Sequence, residues 1–358
     1  MNWPTQKMLG ASLLCILFFT SGCVSTLALV VPDPLWSSSN SYPSVRVAGD
    51  SLKHPDILTP LILLDLPFSV ALDTVIAAKS RRPKIGQSVS AAPLTKEESA
   101  KFIEVAIRKR IKKPVGELTD VDLEKVTRLG IVTKNLTDVK GLEKLTQLEK
   151  LTIYDNQLTD VKGLEKLTQL KFLHLSNNQL TDVKGLEKLT KLRRLSLTSN
   201  KLTDGTGLEK LTQLTELYLS NNQLTDVKGL EKLTQLEKLH LSNNQLTDVK
   251  GLEKLTKLES LGLSENKLTD VKGLEKLTKL ESLYLNNNQL TDVKGLEKLT
   301  QLTYLDLRFN QLTDVKGLEK LTQLEKLILY VNPDLTKAQI EQLQKALPKC
   351  KITHDAKK

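Results

Sequence analysis

The sequence predicts an α/β solenoid: a right-handed arc of stacked units with a parallel sheet on its concave side. Three observations predict this fold. A unit of 22 residues recurs nine times, in register, over residues 136–333. Its apolar residues follow neither the helical period of 3.6 nor the strand period of 2 throughout. An asparagine also returns at one fixed position of every unit. Such units stack on their neighbours and act through an extended surface rather than a cleft.

The spacing of the apolar residues is LxxLxxLxxLxLxxN, as in Leu142–Asn156 of the first unit. This is the pattern of leucine-rich repeats, which place a short strand at LxL and then turn. Alternate strand residues face opposite sides of a sheet. We therefore expect Leu151 and Ile153 to point into the core and Thr152 to point out of the concave face.

Two further columns of the repeat predict structural roles. An amide side chain both donates and accepts, so the repeated asparagine should satisfy buried backbone groups of the turn. A glycine at one convex position of every unit should occupy a turn with unusual dihedral angles, from Gly141 to Gly317. The asparagines are Asn156, Asn178, Asn200, Asn222, Asn244, Asn266, Asn288, Asn310 and Asn332.

Both ends of the array require caps, because a terminal repeat without a neighbour exposes its core. Residues 95–135 predict an N-terminal cap with a degenerate first repeat. Thr95 and Glu98 form a capping-box pattern before an amphipathic helix. Residues 334–358 predict a C-terminal cap, with a helix starting at Thr336 and a last strand near Ile352. Cys350 should be a buried residue of this cap.

The N-terminus predicts export and anchoring. An apolar run ends in small residues before Cys23, which is typical of a secretory signal over residues 1–22. The site resembles the lipobox of bacterial lipoproteins, and this implies acylation of Cys23; Val24 then points to the outer membrane. The alternative is an uncleaved transmembrane anchor over residues 8–31, which is long enough to cross about 30 Å of hydrocarbon.

Residues 23–86 differ in composition from the repeats. Tyr42-Pro43 and the string LDLPFSVALDT, residues 64–74, are similar to the YceK/YidQ-type bacterial lipoproteins. That resemblance supports lipidation at Cys23 and implies a location rather than an activity. Residues 87–94 are a linker by composition.

The remainder, residues 95–358, resembles the bacterial internalin-type 22-residue repeat proteins. The likeness includes IEVAIRKRI in the first cap, LTDVDLEKV after it, and NPDLTKAQIEQLQKALPKCKI at the other end. It implies an α/β leucine-rich-repeat solenoid that recognises a protein of unspecified identity.

The repeats differ from one another mainly at the outward-facing strand positions, whereas the convex string hardly changes. Five of the six tyrosines of the chain fall in these positions, and tyrosine is enriched at binding surfaces. We therefore predict that the concave face binds a ligand. The predicted contact residues are Tyr154, Phe172, His174, Arg194, Tyr218, His240, Tyr284, Tyr304, Asp306 and Arg308. The alternative is a recently duplicated array whose strand face merely tolerates change.

Other functional classes find little support. No nucleophile–base pair, phosphate loop or metal spacing is present, so the sequence predicts neither an enzyme nor a cofactor. His174 and His240 lie three repeats apart, roughly 15 Å at strand spacing, which is too far for one shared metal. The net charge of +10 is concentrated in residues 79–113, which carry eleven Lys or Arg and three Glu, outside the repeats. Within this segment, the basic run from Arg108 to Lys113 predicts a solvated face rather than binding of anionic lipid or nucleic acid.

The sequence thus predicts a monomeric, lipid-anchored envelope protein that binds a protein ligand. A spacer or scaffold of the envelope without a specific ligand is the first alternative. Carbohydrate binding through the concave tyrosines is the second.

Overall fold

The computed structural model describes residues 92–132 and 135–357, which belong to one compact unit, Ser90–Lys358. Its centre is a parallel sheet of eleven strands in sequence order. The strands are β1 Arg128–Val132, β2 Lys150–Tyr154, β3 Phe172–His174, β4 Arg194–Ser196, β5 Glu216–Tyr218, β6 Lys238–His240, β7 Ser260–Gly262, β8 Ser282–Tyr284, β9 Tyr304–Asp306, β10 Lys326–Ile328 and β11 Lys351–Thr353.

Helices cover the ends and parts of the convex side. The α-helices in the described residues are α1 Lys96–Ile111, α2 Asp120–Glu124 and α3 Lys337–Ala346. Short 3₁₀ helices follow the convex glycine in five repeats, at Leu142–Lys144, Leu164–Lys166, Leu252–Lys254, Leu296–Lys298 and Leu318–Lys320. The predicted α/β leucine-rich-repeat solenoid is confirmed.

The leucine columns form one continuous core along the array. Leu151 and Ile153 are completely buried, as the strand alternation predicts, and Leu151 pairs with Leu129 on one side and Leu173 on the other. Each repeat therefore completes the core of its neighbours, because no single unit can enclose its own leucines.

The asparagine ladder, the nine asparagines from Asn156 to Asn332, has the predicted structural role. In a typical rung, Asn178 Oδ1 accepts from the Leu158 N–H at 3.1 Å, while Nδ2 donates to the carbonyls of Ile153 and Leu175, each at 2.9 Å. Every rung thus ties the turn of its own repeat to the backbone of the preceding one, where water cannot reach.

The convex string is constrained by its own hydrogen bonds. Gly163 adopts a φ of 103°, and its N–H donates to the Glu165 carboxylate, while the Lys162 N–H donates to Asp160. The N–H groups of Glu165 itself and of Gly163 lower the pKa of the Glu165 carboxyl. The convex Asp and Glu therefore do not vary because they close turns. The side chains of the convex lysines, such as Lys166, are exposed and take no part in these turn bonds.

Both caps form where the sequence places them. Thr95 and Glu98 make the capping box of α1, and Ile103 and Ile107 on this helix are buried against the first repeats. Two cations of the basic run are held structurally: Arg108 contacts Glu104, and Lys113 donates to Asp122 at 2.6 Å.

At the other end, α3 starts after Thr336 and directs Ile340, Leu343 and Leu347 into the core. Strand β11 then pairs with β10. Cys350 is buried, and burial raises the pKa of its thiol to about 11.

The predicted signal peptide, the predicted lipidation site at Cys23, the segment predicted to resemble YceK/YidQ-type lipoproteins and most of the predicted linker lie outside the described residues. Among the residues that the structure describes, no helix is long and apolar enough to span a bilayer.

Candidate functional site

The predicted contact residues all lie on strands β2–β9 or directly after them, in three columns that face away from the leucine core. Each column contributes one residue per repeat, so neighbours in a column are about 5 Å apart. The structure brings these residues into two groups, separated by a repeat of small side chains.

The first group, here the N-terminal cluster, is a continuous row across repeats 1 to 5. Lys150 Nζ lies 4.5 Å from the centre of the Phe172 ring, and the Arg194 guanidinium lies 5.9 Å from the same ring. Arg194 forms an ion pair with Glu216. The two cations hold the aromatic ring between them, an arrangement that electrostatics favours.

The row continues through the tyrosine and histidine of β5 and β6. The Tyr218 hydroxyl donates to Glu216 at 2.7 Å, and its ring stacks on His240 with centroids 5.1 Å apart. Burial, with Lys238 nearby, lowers the pKa of His240 to about 4, so this imidazole is neutral at pH 7. Hence His240 adds a neutral aromatic ring to the cluster at β6, whereas Lys150 and Arg194 surround Phe172 with charge at β2–β4.

A second aromatic pair lies beside this row. Tyr154 and His174 stack with ring centroids 5.0 Å apart, although they belong to different columns. His174 is 2% exposed, and this burial lowers its pKa to about 3. The sequence does not predict this diagonal contact, because side-chain direction rather than column membership decides it.

The second group, here the C-terminal cluster, occupies repeats 7 to 9. Tyr284 and Tyr304 lie with ring centroids 5.0 Å apart, and Lys326 Nζ is 5.4 Å from the Tyr304 centroid. Asp306 and Arg308 form an ion pair at 3.0 Å. Burial raises the pKa of the Asp306 carboxyl, and the Arg308 guanidinium opposes that rise.

Repeat 6 separates the two clusters with Ser260, Gly262 and Ser264. A side chain at Gly262 would come within 3.0 Å of His240 Nδ1 and 3.1 Å of Ser242 Oγ, so the glycine leaves space into which these neighbours lean. The concave surface is consequently low in the middle and aromatic on both sides.

Burial divides the predicted contact residues by role. His174, Tyr218 and Asp306 are almost fully buried by their neighbours, whereas Arg308 is exposed. The other predicted contacts, at positions 154, 172, 194, 240, 284 and 304, are partly exposed. The three buried residues therefore hold their neighbours in place, and the partly exposed ones offer the accessible surface.

In the part of the chain that the structure describes, no three His, Cys, Asp or Glu side chains lie close enough together to bind a metal ion. His174 and His240 lie on β3 and β6 and stack on different tyrosines, Tyr154 and Tyr218.

Comparison with known proteins agrees with this geometry. A family model described as leucine-rich repeats (2 copies) matches residues 168–210, 212–254, 256–298 and 300–345. An internalin C2 of Listeria monocytogenes is 30% identical, and the match covers 63% of this chain and 90% of that one with a TM-score of 0.50. The chain belongs to the leucine-rich-repeat family.

Two further solved structures are similar to it. A leucine-rich-repeat protein of Leptospira interrogans is 31% identical over 65% of this chain and 67% of its own, with a TM-score of 0.56. The internalin inlF of Listeria monocytogenes is 26% identical over 76% of this chain and 95% of its own, with a TM-score of 0.50. No curated protein matches the chain. The array is thus an internalin-like repeat array, a scaffold of the kind that serves protein–protein interaction.

Proposed function

We propose that this chain is a lipid-anchored protein of the bacterial cell envelope that binds a protein ligand through its concave face. The observation that supports it most is the contrast between two exposed surfaces of the same repeats. The convex lysine equivalent to Lys166 is unchanged in all nine repeats, although no turn hydrogen bond fixes its ammonium group. The concave positions change from one repeat to the next, and aromatic or charged residues occupy most of the Lys150 and Thr152 columns.

The physical character of the concave clusters supports the same proposal. Phe172, Tyr284 and Tyr304 are partly exposed and are held by cations or by other rings, so little side-chain freedom remains to be lost on binding. Aromatic anchors with neighbouring arginines are the residue types that dominate binding energy at protein interfaces.

A set of serine substitutions tests this role. The array itself has serine at the equivalent positions, Ser260 and Ser282 in the column of Phe172 and Tyr304, and Ser196 in that of Tyr284. We therefore expect Phe172→Ser, Tyr284→Ser and Tyr304→Ser together to leave the fold intact. A matched control replaces three convex lysines, Lys210, Lys232 and Lys254, by serine.

The assay is affinity capture from envelope extracts with quantitative mass spectrometry. The concave variant should lose the proteins that wild type and the lysine variant retain equally. If the wild type and both variants retain the same proteins while circular dichroism shows them folded, the array is a spacer without a specific ligand. If soluble envelope polysaccharide, rather than a protein, is lost with the concave variant, the tyrosines bind carbohydrate.

The anchor is tested separately. Metabolic labelling with palmitate should mark the wild-type chain and not Cys23→Ser, and the labelled chain should fractionate with the outer membrane. A wild-type chain that stays unlabelled but remains in the membrane would favour the transmembrane anchor. The internalin-like neighbours, themselves bacterial proteins, support an envelope location in general.

A further inference from the structure

Two rows of solvent-accessible residues precede the concave strands, one residue per repeat in each row. The Gln147 row contains only glutamine and lysine: Gln147, Gln169, Lys191, Gln213, Gln235, Lys257, Lys279, Gln301 and Gln323. The Glu149 row reads Glu149, Lys171, Arg193, Thr215, Glu237, Glu259, Glu281, Thr303 and Glu325. Lys257 and Lys279 of the first row are each followed by a glutamate two positions later, so these repeats balance their own charge.

Repeats 2 and 3 depart from this balance. Lys191 is followed by Arg193 instead of a glutamate, and the preceding member of the Glu149 row is Lys171. Over both rows and the column of Lys150, repeats 2 and 3 have four cations and no anion: Lys171, Lys191, Arg193 and Arg194. At the same three positions every other repeat has a net charge of 0 or −1. The array therefore concentrates positive charge at one place.

The structure arranges three of these cations around one hollow. Lys171, Lys191 and Arg193 line an open depression of about 280 Å³ together with Thr190 and Gln213. All five residues are exposed, and each side chain can donate a hydrogen bond. In the described structure the lining of this depression, here the basic depression, includes no carboxylate.

The cations of the basic depression differ in how they are compensated. Lys171 Nζ forms an ion pair with Glu149 at 2.6 Å, and its hydrogen bond lowers the pKa of that carboxyl. Lys191 Nζ donates to Gln169 Oε1 at 2.7 Å, which is a neutral acceptor. Within the described part of the chain, neither Lys191 nor Arg193 forms an ion pair. Two positive charges in the depression thus remain without an anion.

The neighbouring carboxylates are engaged elsewhere. Glu216 forms an ion pair with Arg194 and accepts from the Tyr218 hydroxyl at 2.7 Å. Glu237 is the next acidic member of its row, two repeats after Arg193, or roughly 10 Å at strand spacing. The convex glutamates of repeats 2 to 4 accept from the glycine N–H groups of their own turns: Glu165, Glu187 and Glu209.

The charge and the donors of the basic depression match a phosphate group. A phosphate monoester carries a charge of about −1.5 to −2 at pH 7 and has three terminal oxygens that accept hydrogen bonds. Arginine binds such a group through two parallel N–H donors, and lysine binds it as a point charge. One carboxylate would compensate only one of Lys191 and Arg193. A phosphate can compensate both, and Thr190 and Gln213 can donate to its remaining oxygens.

We propose that the basic depression binds a phosphate group, carried by a soluble phosphorylated compound or by a lipid headgroup. None of the five residues that line it belongs to the predicted contact residues of the concave face. The depression is therefore a second site, whose ligand differs in chemistry from the protein ligand of the proposed function.

The variant Lys191→Gln/Arg193→Thr tests whether the two uncompensated cations are required. The array has Gln213 and Thr215 at the equivalent positions one repeat later, so the fold should remain intact. The matched control is Lys257→Gln/Lys279→Gln, which removes two lysines from the same row and changes the net charge equally. Each lysine of the control has a glutamate two positions later, so its loss should not affect phosphate binding.

A transplant tests whether the arrangement is sufficient. Lys257 Nζ donates to Gln235 Oε1 at 2.6 Å, as Lys191 does to Gln169. The equivalents of Lys171 and Arg193 in these repeats are Glu237 and Glu259. Adding Glu237→Lys/Glu259→Arg to the Lys191→Gln/Arg193→Thr variant should therefore restore phosphate binding, three repeats away from the original site.

Binding of inorganic phosphate to the full-length protein is measured by titration followed by phosphorus NMR. The affinity of the Lys191→Gln/Arg193→Thr variant should be about tenfold lower or worse, because two charge-assisted hydrogen bonds are lost. Sedimentation with vesicles of phosphatidylethanolamine and phosphatidylglycerol forms the second arm. Vesicle binding that this variant loses and the lysine control retains identifies a lipid headgroup as the source. Phosphate binding without vesicle binding identifies a soluble compound.

The third arm is a capped Glu-Glu dipeptide, which carries a charge of about −2 on two carboxylates. If the dipeptide binds as tightly as phosphate, the site recognises acidic protein segments and the inference is wrong. Absence of phosphate binding by the wild type, equal losses in the variant and the lysine control, or a transplant that restores nothing would also overturn it. Circular dichroism should show the same melting temperature for all variants.

Discussion

Adjacent rungs of the asparagine ladder should be coupled, because they share backbone acceptors. The Leu241 carbonyl accepts from Asn244 Nδ2 at 2.9 Å and from Asn266 Nδ2 at 3.0 Å. Each asparagine also accepts alone from one buried N–H: Leu224 donates to Asn244 and Leu246 donates to Asn266, both at 3.0 Å. Removing one rung therefore leaves one N–H without a partner but leaves the shared carbonyl with one donor.

The magnitudes follow from this count. An unsatisfied buried donor costs about 1–3 kcal/mol, so Asn244→Ala and Asn266→Ala should each destabilise by that amount. In the double variant Leu241 loses both side-chain donors. This carbonyl, left without a donor, adds a further cost of about 1 kcal/mol, because a buried acceptor without any partner also lowers stability. The double variant should thus cost more than the sum of the single ones.

The measurement is urea-induced unfolding followed by circular dichroism, arranged as a double-mutant cycle. Asn178→Ala with Asn266→Ala is the matched pair, because these rungs share no acceptor and should be additive within about 0.5 kcal/mol. Gln245→Ala, exposed beside the ladder, should change stability by less than about 0.5 kcal/mol. Equal coupling energies in the adjacent and the distant pair would refute the shared-acceptor reasoning.

Three further predictions follow from single sites. His174 has a folded pKa of about 3 against an ordinary 6.5, so the unfolded chain binds a proton that the folded chain does not between these pH values, and stability should fall as pH drops below about 6.5. By pH 5 this term reaches at most about 2 kcal/mol, and His174→Phe should lack it in urea unfolding at pH 5 and pH 7. Gly229→Ala should lower the melting temperature far more than Gly163→Ala, although both glycines have positive φ. A methyl group at Gly229 would collide with the Gly205 carbonyl, whereas one at Gly163 would lie 3.7 Å from the nearest side chain. Cys350, buried with a raised thiol pKa, should resist thiol reagents in a Cys15→Ser/Cys23→Ser chain until denaturant is added.

The fold was predictable because the same pattern of apolar, asparagine and glycine positions occurs in nine consecutive repeats. The leucine spacing fixes which side chains face inward, and the asparagine and glycine columns fix the two turns of each unit. Capping boxes at Thr95 and Thr336 mark the helices that close the ends. Periodic burial is a property that a sequence displays directly, so these elements follow without knowledge of tertiary contacts.

From the sequence, the candidate site could be predicted only as a set of outward-facing columns, without most of the contacts between its side chains. Column membership places Tyr218 beside His240, and the structure shows that stack. It does not place Tyr154 on His174 or Tyr284 on Tyr304, because these pairs cross columns and depend on rotamers. Nor does it predict burial: Tyr218 is 3% exposed on a face that is nominally open, since its neighbours fold over it.

One position of the repeat has a left-handed backbone from Asp155 to Val331, with φ between 54° and 59°, and it shows where the sequence and the backbone must be considered together. In the sequence, Phe309 and Val331 are two apolar residues among many, and neither belongs to a leucine column. The asparagines that precede them, such as Asn287, carry the missing signal, because a column rich in asparagine indicates a conformation that apolar side chains avoid. The φ values of Phe309 and Val331 match that of Asn287, so these two exposed apolar residues occupy a backbone conformation that disfavours them. A position that has asparagine in four of nine repeats, and bulky apolar residues in two adjacent ones, is recognised as unusual only when its backbone conformation is known.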